Sequence, residues 1–292
     1  MSTTQWAAVT FEEHRAHLRG VAYRMLGSLS DADDAVQDAW LRFSAADRSQ
    51  VENVRGWLTT VVARVCLNML RTRRTRRERP LEGSLPDPIV SGFDGSDPQQ
   101  EVLLGEAVGM ALLVMLDTLT PAERVAFVLH DVFGMPYDEI AVIVDRSPAA
   151  TRQFASRGRR RVRGSPRPDA DLRRQREVMD AFVKASRDGD LQALLAVLDP
   201  DVVLHVDGGA PAGGRQRTVR GARAVAAQAM RFRELALSAH VALVNGAVGA
   251  VVVRDGRPFS VIGMTVSGGR IVEIDIVSDP DRLARLRLSI PD

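Results

Sequence analysis

Polar side chains that can read base edges recur along one side of the segment Ser147–Val162. Arg152, Gln153 and Ser156 fall on that side if the segment is helical. A guanidinium can bind guanine through two hydrogen bonds, and a carboxamide can bind adenine in the same way. These residue types therefore point to contact with duplex DNA. The arginines that suit phosphates rather than bases are Arg157, Arg159, Arg160 and Arg163.

A short helix with a clear start must carry these side chains. Ser147 can cap the helix through its hydroxyl, and Pro148 suits the first helical position, where no amide hydrogen is needed. A second helical pattern, Tyr137–Arg146, precedes it. The pair predicts a helix-turn-helix whose second helix enters the major groove; the alternative is a solvated basic helix on an ordinary domain. Residues expected to pack inward are Thr151, Phe154, Ala155, Gly158 and Val162.

Two further polar faces lie near the start of the chain. In a helix over the leucines and valines of 58–69, Arg64, Asn68 and Arg71 align at i, i+4 and i+7 on the outer side. An arginine run follows at 71–79. In the preceding helix an acidic stripe recurs at helical spacing; it consists of Asp33, Asp34, Gln37 and Asp38.

Composition excludes several classes of protein. The chain has 292 residues, of which 45% are hydrophobic, and its net charge is +2, so no global charge excess demands nucleic acid. Cys66 is the only cysteine, which excludes an intrachain disulfide and a cysteine-rich metal site. No apolar run reaches the ~18 residues of a membrane span, so we expect a cytoplasmic protein that does not engage membranes. No cofactor and no metal site are predicted.

The chain divides into four parts by pattern. Segments 8–80 and 105–164 read as all-α domains, and the proline- and glycine-rich stretch 81–104 reads as a mobile linker. Residues 171–292 change to an α+β pattern, with helices followed by strands that are separated by turn dipeptides such as Asn245-Gly246. The predicted fold is therefore multi-domain, with two helical DNA-binding domains followed by a cone formed by helices on one face of a curved antiparallel sheet.

Several motifs in their order resemble the extracytoplasmic-function sigma factors of bacteria. They are Asp31–Arg42, Val54–Arg64, Leu116–Arg124 and the helix-turn-helix. The third segment looks like a SnoaL-like domain, which the SigJ-like subgroup carries at its C-terminus. The resemblance implies a factor that binds core RNA polymerase and directs it to promoters.

The resemblance also assigns roles to the polar faces. The acidic stripe would bind the polymerase clamp, and the recognition helix would read the −35 element. Arg64, Asn68, Arg71 and the loop 44–55 would take the −10 element, where opened bases are exposed. Arg73 and Arg74, with Arg76 and Arg77, would contact backbone in a salt-sensitive way.

For the C-terminal domain the resemblance implies regulation in cis. Asp207 and the segment Asp279–Leu283, with Asp281 and Arg282, match two signatures of the subgroup in part. A third signature, Trp-Leu-Pro-Glu-Pro, is absent between 164 and 171. The domain could also hold a small-molecule ligand of unknown identity.

Other functions remain open from the residues alone. An isomerase- or cyclase-type enzyme, or a ligand sensor, could be fused to the DNA-binding module. His205, Asp207, His240 and Asp275 could serve such chemistry, but they show no diagnostic spacing, and both tyrosines lie outside the domain. A two-component-type repressor would share the helix-turn-helix but would not need the polar faces near the start of the chain.

Overall fold

A computed structural model describes residues 3–46, 53–75, 85–92, 109–163, 169–208 and 217–286. The chain forms two compact units. The helical unit takes the described residues up to 75 and those from 115 to 163, so the two predicted helical domains belong to one unit. The sheet unit takes the described residues 85–92, 109–114 and 169–286. Within the described residues, no helix is both long and apolar enough to cross a membrane.

The helical unit begins with three long helices that bury apolar faces against one another. Phe11, Leu18, Phe43, Leu58 and Val62 are each at most 1% exposed in this core. Trp57 packs against Phe43 at a ring distance of 5.6 Å. The helices are α1 (Thr3–Leu26), α2 (Leu29–Ala45) and α3 (Val54–Thr75).

The second part of the helical unit is built around well-defined helix starts. Thr120 and Glu123 form a capping box, in which each side chain accepts a hydrogen bond from the other residue's backbone amide. The chain continues from the helix Pro121–Phe127 through a π-helical turn, Val128–Val132, to Gly134, whose positive φ ends the run. The helices are α4 (Met110–Asp117), which crosses into this unit from the sheet unit, α5 (Pro121–Phe127), α6 (Tyr137–Val144) and α7 (Pro148–Val162).

The described residues of the sheet unit form a seven-stranded sheet, whose strands, numbered along the chain, lie in the order β1-β4-β5-β6-β7-β2-β3. Its turns at Asn245-Gly246 and Asp255-Gly256 have positive φ at both residues, as the dipeptides predict. The strands are β1 (Val90–Ser91), β2 (Leu198–Asp207), β3 (Arg217–Arg220), β4 (Ala239–Val244), β5 (Ala247–Arg254), β6 (Arg257–Ser267) and β7 (Arg270–Val277).

One strand pair differs from the expected antiparallel sheet. β2 and β7 run parallel, whereas the other pairs among the described strands are antiparallel. β2 comes before the helices between residues 222 and 236, whereas β4 to β7 come after them and follow one another through hairpins. β2 joins the sheet beside β7 and runs in the same direction as that strand. The helices of this unit are α8 (Leu172–Asp188), α9 (Leu191–Val197), α10 (Ala222–Arg231), α11 (Arg233–Ala236) and α12 (Pro280–Leu283).

Each face of the sheet has its own apolar core. Residues such as Leu194, Ala250 and Ile274 join helices α8 to α10 to one face. Because side chains alternate along a strand, Val251 and Val277 point to the other face, where they pack with Leu85 and other residues from before the domain. The stretch expected to be a mobile linker is thus partly ordered, since Leu85, Ile89 and Val90 are at most 5% exposed. The rest of that stretch, residues 81–84 and 93–104, lies outside the described residues.

Candidate nucleic-acid interface

Helices α6 and α7 form the predicted helix-turn-helix. Asp145 turns the chain with a left-handed conformation, and the Ser147 hydroxyl accepts a hydrogen bond of 3.2 Å from the amide of Ala150. Gly158 lies where α7 meets α5, and a Cβ there would lie 3.0 Å from that of Phe127, closer than most Cβ contacts, so glycine suits this close approach. Thr151, Ala155 and Gly158 are buried, and Phe154 and Val162 are partly buried.

The opposite side of α7 is free to meet a ligand. Arg152, Gln153, Ser156 and Arg160 are exposed. The guanidinium of Arg152 lies 5.3 Å from the ring centre of Tyr137, which holds it near the start of the helix. An early position on a recognition helix is the one that reaches base edges.

Other arginines of α7 are engaged within the protein. Arg157 and Arg161 both donate to the carboxylate of Glu123, at 2.7 and 3.1 Å, and Arg159 donates to Asp131 at 2.8 Å. Burial alone would raise the pKa of Glu123, but hydrogen bonds from Arg157 and Thr120 outweigh it and hold that pKa below its ordinary value. Arg157, predicted as a phosphate contact, therefore also fastens α7 to α5.

The outer face of α3 presents most of the predicted −10 residues. Arg64, Asn68, Arg71 and Arg74 are exposed. Arg73 differs, because it forms an ion pair with Asp31 and donates to the carbonyl of Leu26 at 3.4 Å. The loop residues 47–52, together with Arg76 and Arg77, lie outside the described residues.

The acidic stripe lies on α2 as the spacing predicts. Asp33, Asp34 and Gln37 are exposed, and Asp38 is half-buried. Two of the carboxylates have partners, since Asp33 pairs with Arg19 and Asp38 pairs with Arg42. The opposite face of α2 is buried, which fixes the direction of the stripe; it consists of Ala32, Ala35, Val36, Ala39 and Phe43.

Inside the helical unit, α3 packs on α5 and α6, and α1 packs on the π-helical turn. The guanidinium of Arg64 donates a hydrogen bond of 3.2 Å to the backbone carbonyl of Val142. The rings of His17 and Phe133 meet edge to face at 5.5 Å, and Arg24 lies 5.3 Å from the same phenyl ring. The α3 face that carries the predicted −10 residues is thus in contact with the helix-turn-helix.

In the sheet unit, Arg282 binds a segment that lies far away in sequence. Its guanidinium donates to Asp207 at 2.6 Å, to Asp87 at 2.7 Å and to the carbonyl of Leu85 at 2.6 Å. The side chains of Arg282 and Asp207 are only 15% and 7% exposed, so water screens this pair weakly. We call the residues Leu85, Asp87, Asp207 and Arg282 the linker clamp.

Hydrogen bonds to the backbone also fix residues 85–91 against the sheet unit. Asp207 accepts a second hydrogen bond, of 3.0 Å, from the amide of Leu85. The amide of Ile89 donates to the Asn245 side chain, and the Asn245 amide donates back to Ile89, after which β1 pairs with β4. Of the other predicted regulatory residues, Asp279 caps α12 and Leu283 is buried, whereas Asp281 is exposed.

Comparison with known proteins identifies the chain. Residues 10–76 match the family described as sigma-70 region 2, and residues 109–162 match sigma-70, region 4. The chain is 37% identical to the ECF RNA polymerase sigma factor SigJ of Mycobacterium tuberculosis over 289 residues, which covers 93% of this chain and 91% of the relative. The chain belongs to the extracytoplasmic-function (ECF) sigma factors.

Two further comparisons extend to the whole length of this sigma factor. The probable ECF sigma factor SigI of M. tuberculosis is 34% identical over 292 residues, and the match covers 99% of this chain and 99% of SigI. The crystal structure of M. tuberculosis SigJ matches at a TM-score of 0.78 with 35% identity, covering 97% of this chain and 100% of the other. The protein is therefore a sigma factor that binds core RNA polymerase and promoter DNA and directs the initiation of transcription.

Sequence reasoning missed the linker side of the clamp. Leu85-Pro-Asp-Pro88 has the Leu-Pro-acid-Pro pattern of the subgroup signature that is absent between 164 and 171. The pattern lies in the first linker of the sigma factor, between its two helical regions. Two prolines flanking an acidic residue beside a buried leucine are the signal that could have located it.

Proposed function

We propose that the exposed faces described above are the promoter and polymerase contacts of this sigma factor. Region 2 (8–80) would read the −10 element, and region 4 (105–164) would read the −35 element. The −10 contacts would be Arg64, Asn68, Arg71, Arg73 and Arg74, and the −35 contacts would be Arg152, Gln153, Ser156, Arg157 and Arg160. Core polymerase would meet Asp33, Asp34, Gln37 and Asp38, where charge complementarity speeds and orients docking.

The C-terminal domain (171–292) would restrain the two regions by holding the linker (81–104) between them. The observation that carries this proposal is the linker clamp, in which the partly buried Arg282 joins Asp207 of the domain to Asp87 of the linker. Asp207 and Arg282 come from the two subgroup signatures, and Asp279 and Leu283 support the short helix that carries Arg282, with Asp281 in its first turn.

The dimensions of the helical unit support a restraint rather than a working arrangement. Elements named −10 and −35 lie about 25 base pairs, hence roughly 85 Å, apart on duplex DNA. Helix α3, with 22 residues, is only about 33 Å long. Because Arg64 of region 2 contacts Val142 of region 4, the two reading faces must separate before both elements are bound. A linker that is held along part of its length limits that separation.

Run-off transcription with core polymerase tests the proposal in the full-length protein. The variant Arg282→Ala should initiate more transcripts than the wild type, because the linker is released. The matched control is Arg285→Ala, which removes an exposed arginine three residues further on. Equal activity of wild type and Arg282→Ala, with the linker shown to be released, would contradict restraint through the clamp.

Three further features complete the proposal. We infer that the domain acts through the linker rather than as an enzyme, since the linker clamp gives it a direct contact with the segment between the two regions. A small-molecule ligand could use an open groove of about 490 Å³, lined by Arg220, Arg223 and Arg270, which would favour an anion. The protein would act in the cytoplasm, where core polymerase is found.

A further inference from the structure

A histidine and two carboxylates meet on one face of the sheet, where strands β2 and β7 run side by side. His205 is the register partner of Asp275, and Glu273 lies two residues before Asp275 on the same face. One ligand atom from each of the three side chains lies within 4.8 Å of the others. We call these residues the His205 cluster.

Asp275 is buried there with an unsatisfied oxygen. The residue is 1% exposed, and its Oδ1 atom has no hydrogen-bond partner among the residues that the structure describes. Burial, and then the charge of Glu273, raise the pKa of Asp275 well above its ordinary value. Burial also raises the pKa of Glu273 to about 6, against the opposing charge of Arg220. A buried carboxylate without a partner is costly, so the cluster needs a proton or a cation to neutralise it.

His205 is oriented as a metal ligand would be. Its Nδ1 atom lies 3.2 Å from the hydroxyl of Thr218, which can accept the ring N–H. The lone pair of Nε2 is then directed toward Glu273, whose Oε1 atom is 3.7 Å away, too far for a hydrogen bond. Two ligands that are each about 2.1 Å from a tetrahedral metal lie roughly 3.4 Å apart. A hydrogen bond on the distal ring nitrogen is the usual support of a ligating histidine.

We propose that His205, Glu273 and Asp275 bind one divalent first-row transition-metal ion, such as Zn²⁺. One imidazole and two carboxylates match the three protein ligands of a site that leaves a further position for water. An oxygen-preferring ion such as Mg²⁺ gains less from the imidazole and should bind more weakly. His205 lies two residues before the clamp residue Asp207 on the same face of β2, which places the site beside the linker contact.

Calorimetry and thermal unfolding of the full-length protein test the proposal, with Zn²⁺ and Mg²⁺ as probes after treatment with a chelator. The wild type should bind one Zn²⁺ per chain more tightly than Mg²⁺, and its melting temperature should rise with Zn²⁺. Asp275→Asn and His205→Gln should each weaken Zn²⁺ binding at least tenfold. The control His240→Gln, which changes an exposed strand histidine of the same sheet, should leave binding unchanged.

The two ligand variants also distinguish a metal from a shared proton. Asp275→Asn removes one of the two like charges at nearly constant shape, so the metal-free variant should fold as well as the wild type. A wild type that binds no Zn²⁺, or one whose binding survives both ligand substitutions, would overturn the proposal. The same holds if Asp275→Asn raises the melting temperature of the metal-free protein while Zn²⁺ has no effect on the wild type, since the carboxylates then share only a proton.

Discussion

Arg64 on α3 donates a hydrogen bond of 3.2 Å to the backbone carbonyl of Val142 on α6. A residue expected to contact the −10 element is therefore engaged with the helix-turn-helix that is expected to read the −35 element. An exposed hydrogen bond to a neutral carbonyl contributes only about 1 kcal/mol net to the stability of a contact. A hydrogen bond of this size is weak enough for polymerase or DNA to replace it.

Binding of core polymerase should separate the two regions of the helical unit. Dyes on Glu13→Cys in α1 and Glu139→Cys in α6 would report the distance by energy transfer, because both positions are exposed. The native Cys66 should not react with the dyes, since it is fully buried and burial raises the pKa of its thiol to about 12. Transfer efficiency should fall on addition of polymerase. An efficiency that stays constant in an active holoenzyme would mean that the packed arrangement is also the working one.

Weakening the linker clamp should release the linker without unfolding the domain. Asp207→Asn keeps the shape of the side chain but removes the charge that faces Arg282. We therefore expect the free energy that holds the linker segment on the domain to fall by about 1–3 kcal/mol. Hydrogen exchange at the amides of Leu85 and Ile89 should accelerate roughly tenfold or more. Exchange in the core strand β5 should stay at the wild-type rate, and an equal acceleration there would indicate global destabilisation instead.

Substitutions on the recognition helix α7 should distinguish the residues that contact bases from those that contact phosphates. Arg152→Ala and Gln153→Ala should each cost about 1–3 kcal/mol on promoter DNA but little on a scrambled −35 sequence. Arg160→Ala should weaken binding to both sequences and reduce the slope of log K against log salt by about 1. Fluorescence anisotropy of the holoenzyme on the two duplexes, at several salt concentrations, measures these effects. Equal losses on both sequences for Gln153→Ala would remove it from the base-reading set.

Local chemistry made the helices and turns of this sigma factor readable from sequence. The start of α7 follows from the Ser147 cap and Pro148, and the turn at Asn245 follows from the dipeptide it forms with Gly246. The polar faces of α2 and α3 follow from helical spacing alone. These features depend on residues a few positions apart, so no knowledge of the fold is needed to find them.

Long-range pairing was not readable in the same way. Arg282 meets Asp87 across 195 positions, and His205 meets Glu273 only because β2 joins the sheet parallel to β7. Hydrophobic periodicity predicts strands but not their order, and the order decides which polar residues become neighbours. The sequence therefore offered His205 and Asp275 as isolated candidates without Glu273.

Acidification should weaken the packing around His17. Burial lowers the pKa of His17 from 6.5 to about 4, and the charges of Arg55, His14 and Arg24 act in the same direction. The neutral ring suits its partners, since Arg55 donates to Nδ1 and Nε2 can donate to the hydroxyl of Thr59. Between pH 6.5 and about 4 the unfolded chain binds a proton that the folded chain does not, so stability falls as the pH falls through this window.

Tryptophan fluorescence can follow this loss, because Trp6, Trp40 and Trp57 all lie in the helices α1 to α3, which surround His17. Urea unfolding should show a decrease on the order of 1 kcal/mol between pH 7 and pH 5, less than the pKa shift alone implies, since the ring is partly solvated. His17→Gln should remove most of this pH dependence, because glutamine does not titrate, whereas the control His14→Gln should retain it. Should His17→Gln keep the full decrease, the acid sensitivity of region 2 would have to come from other groups.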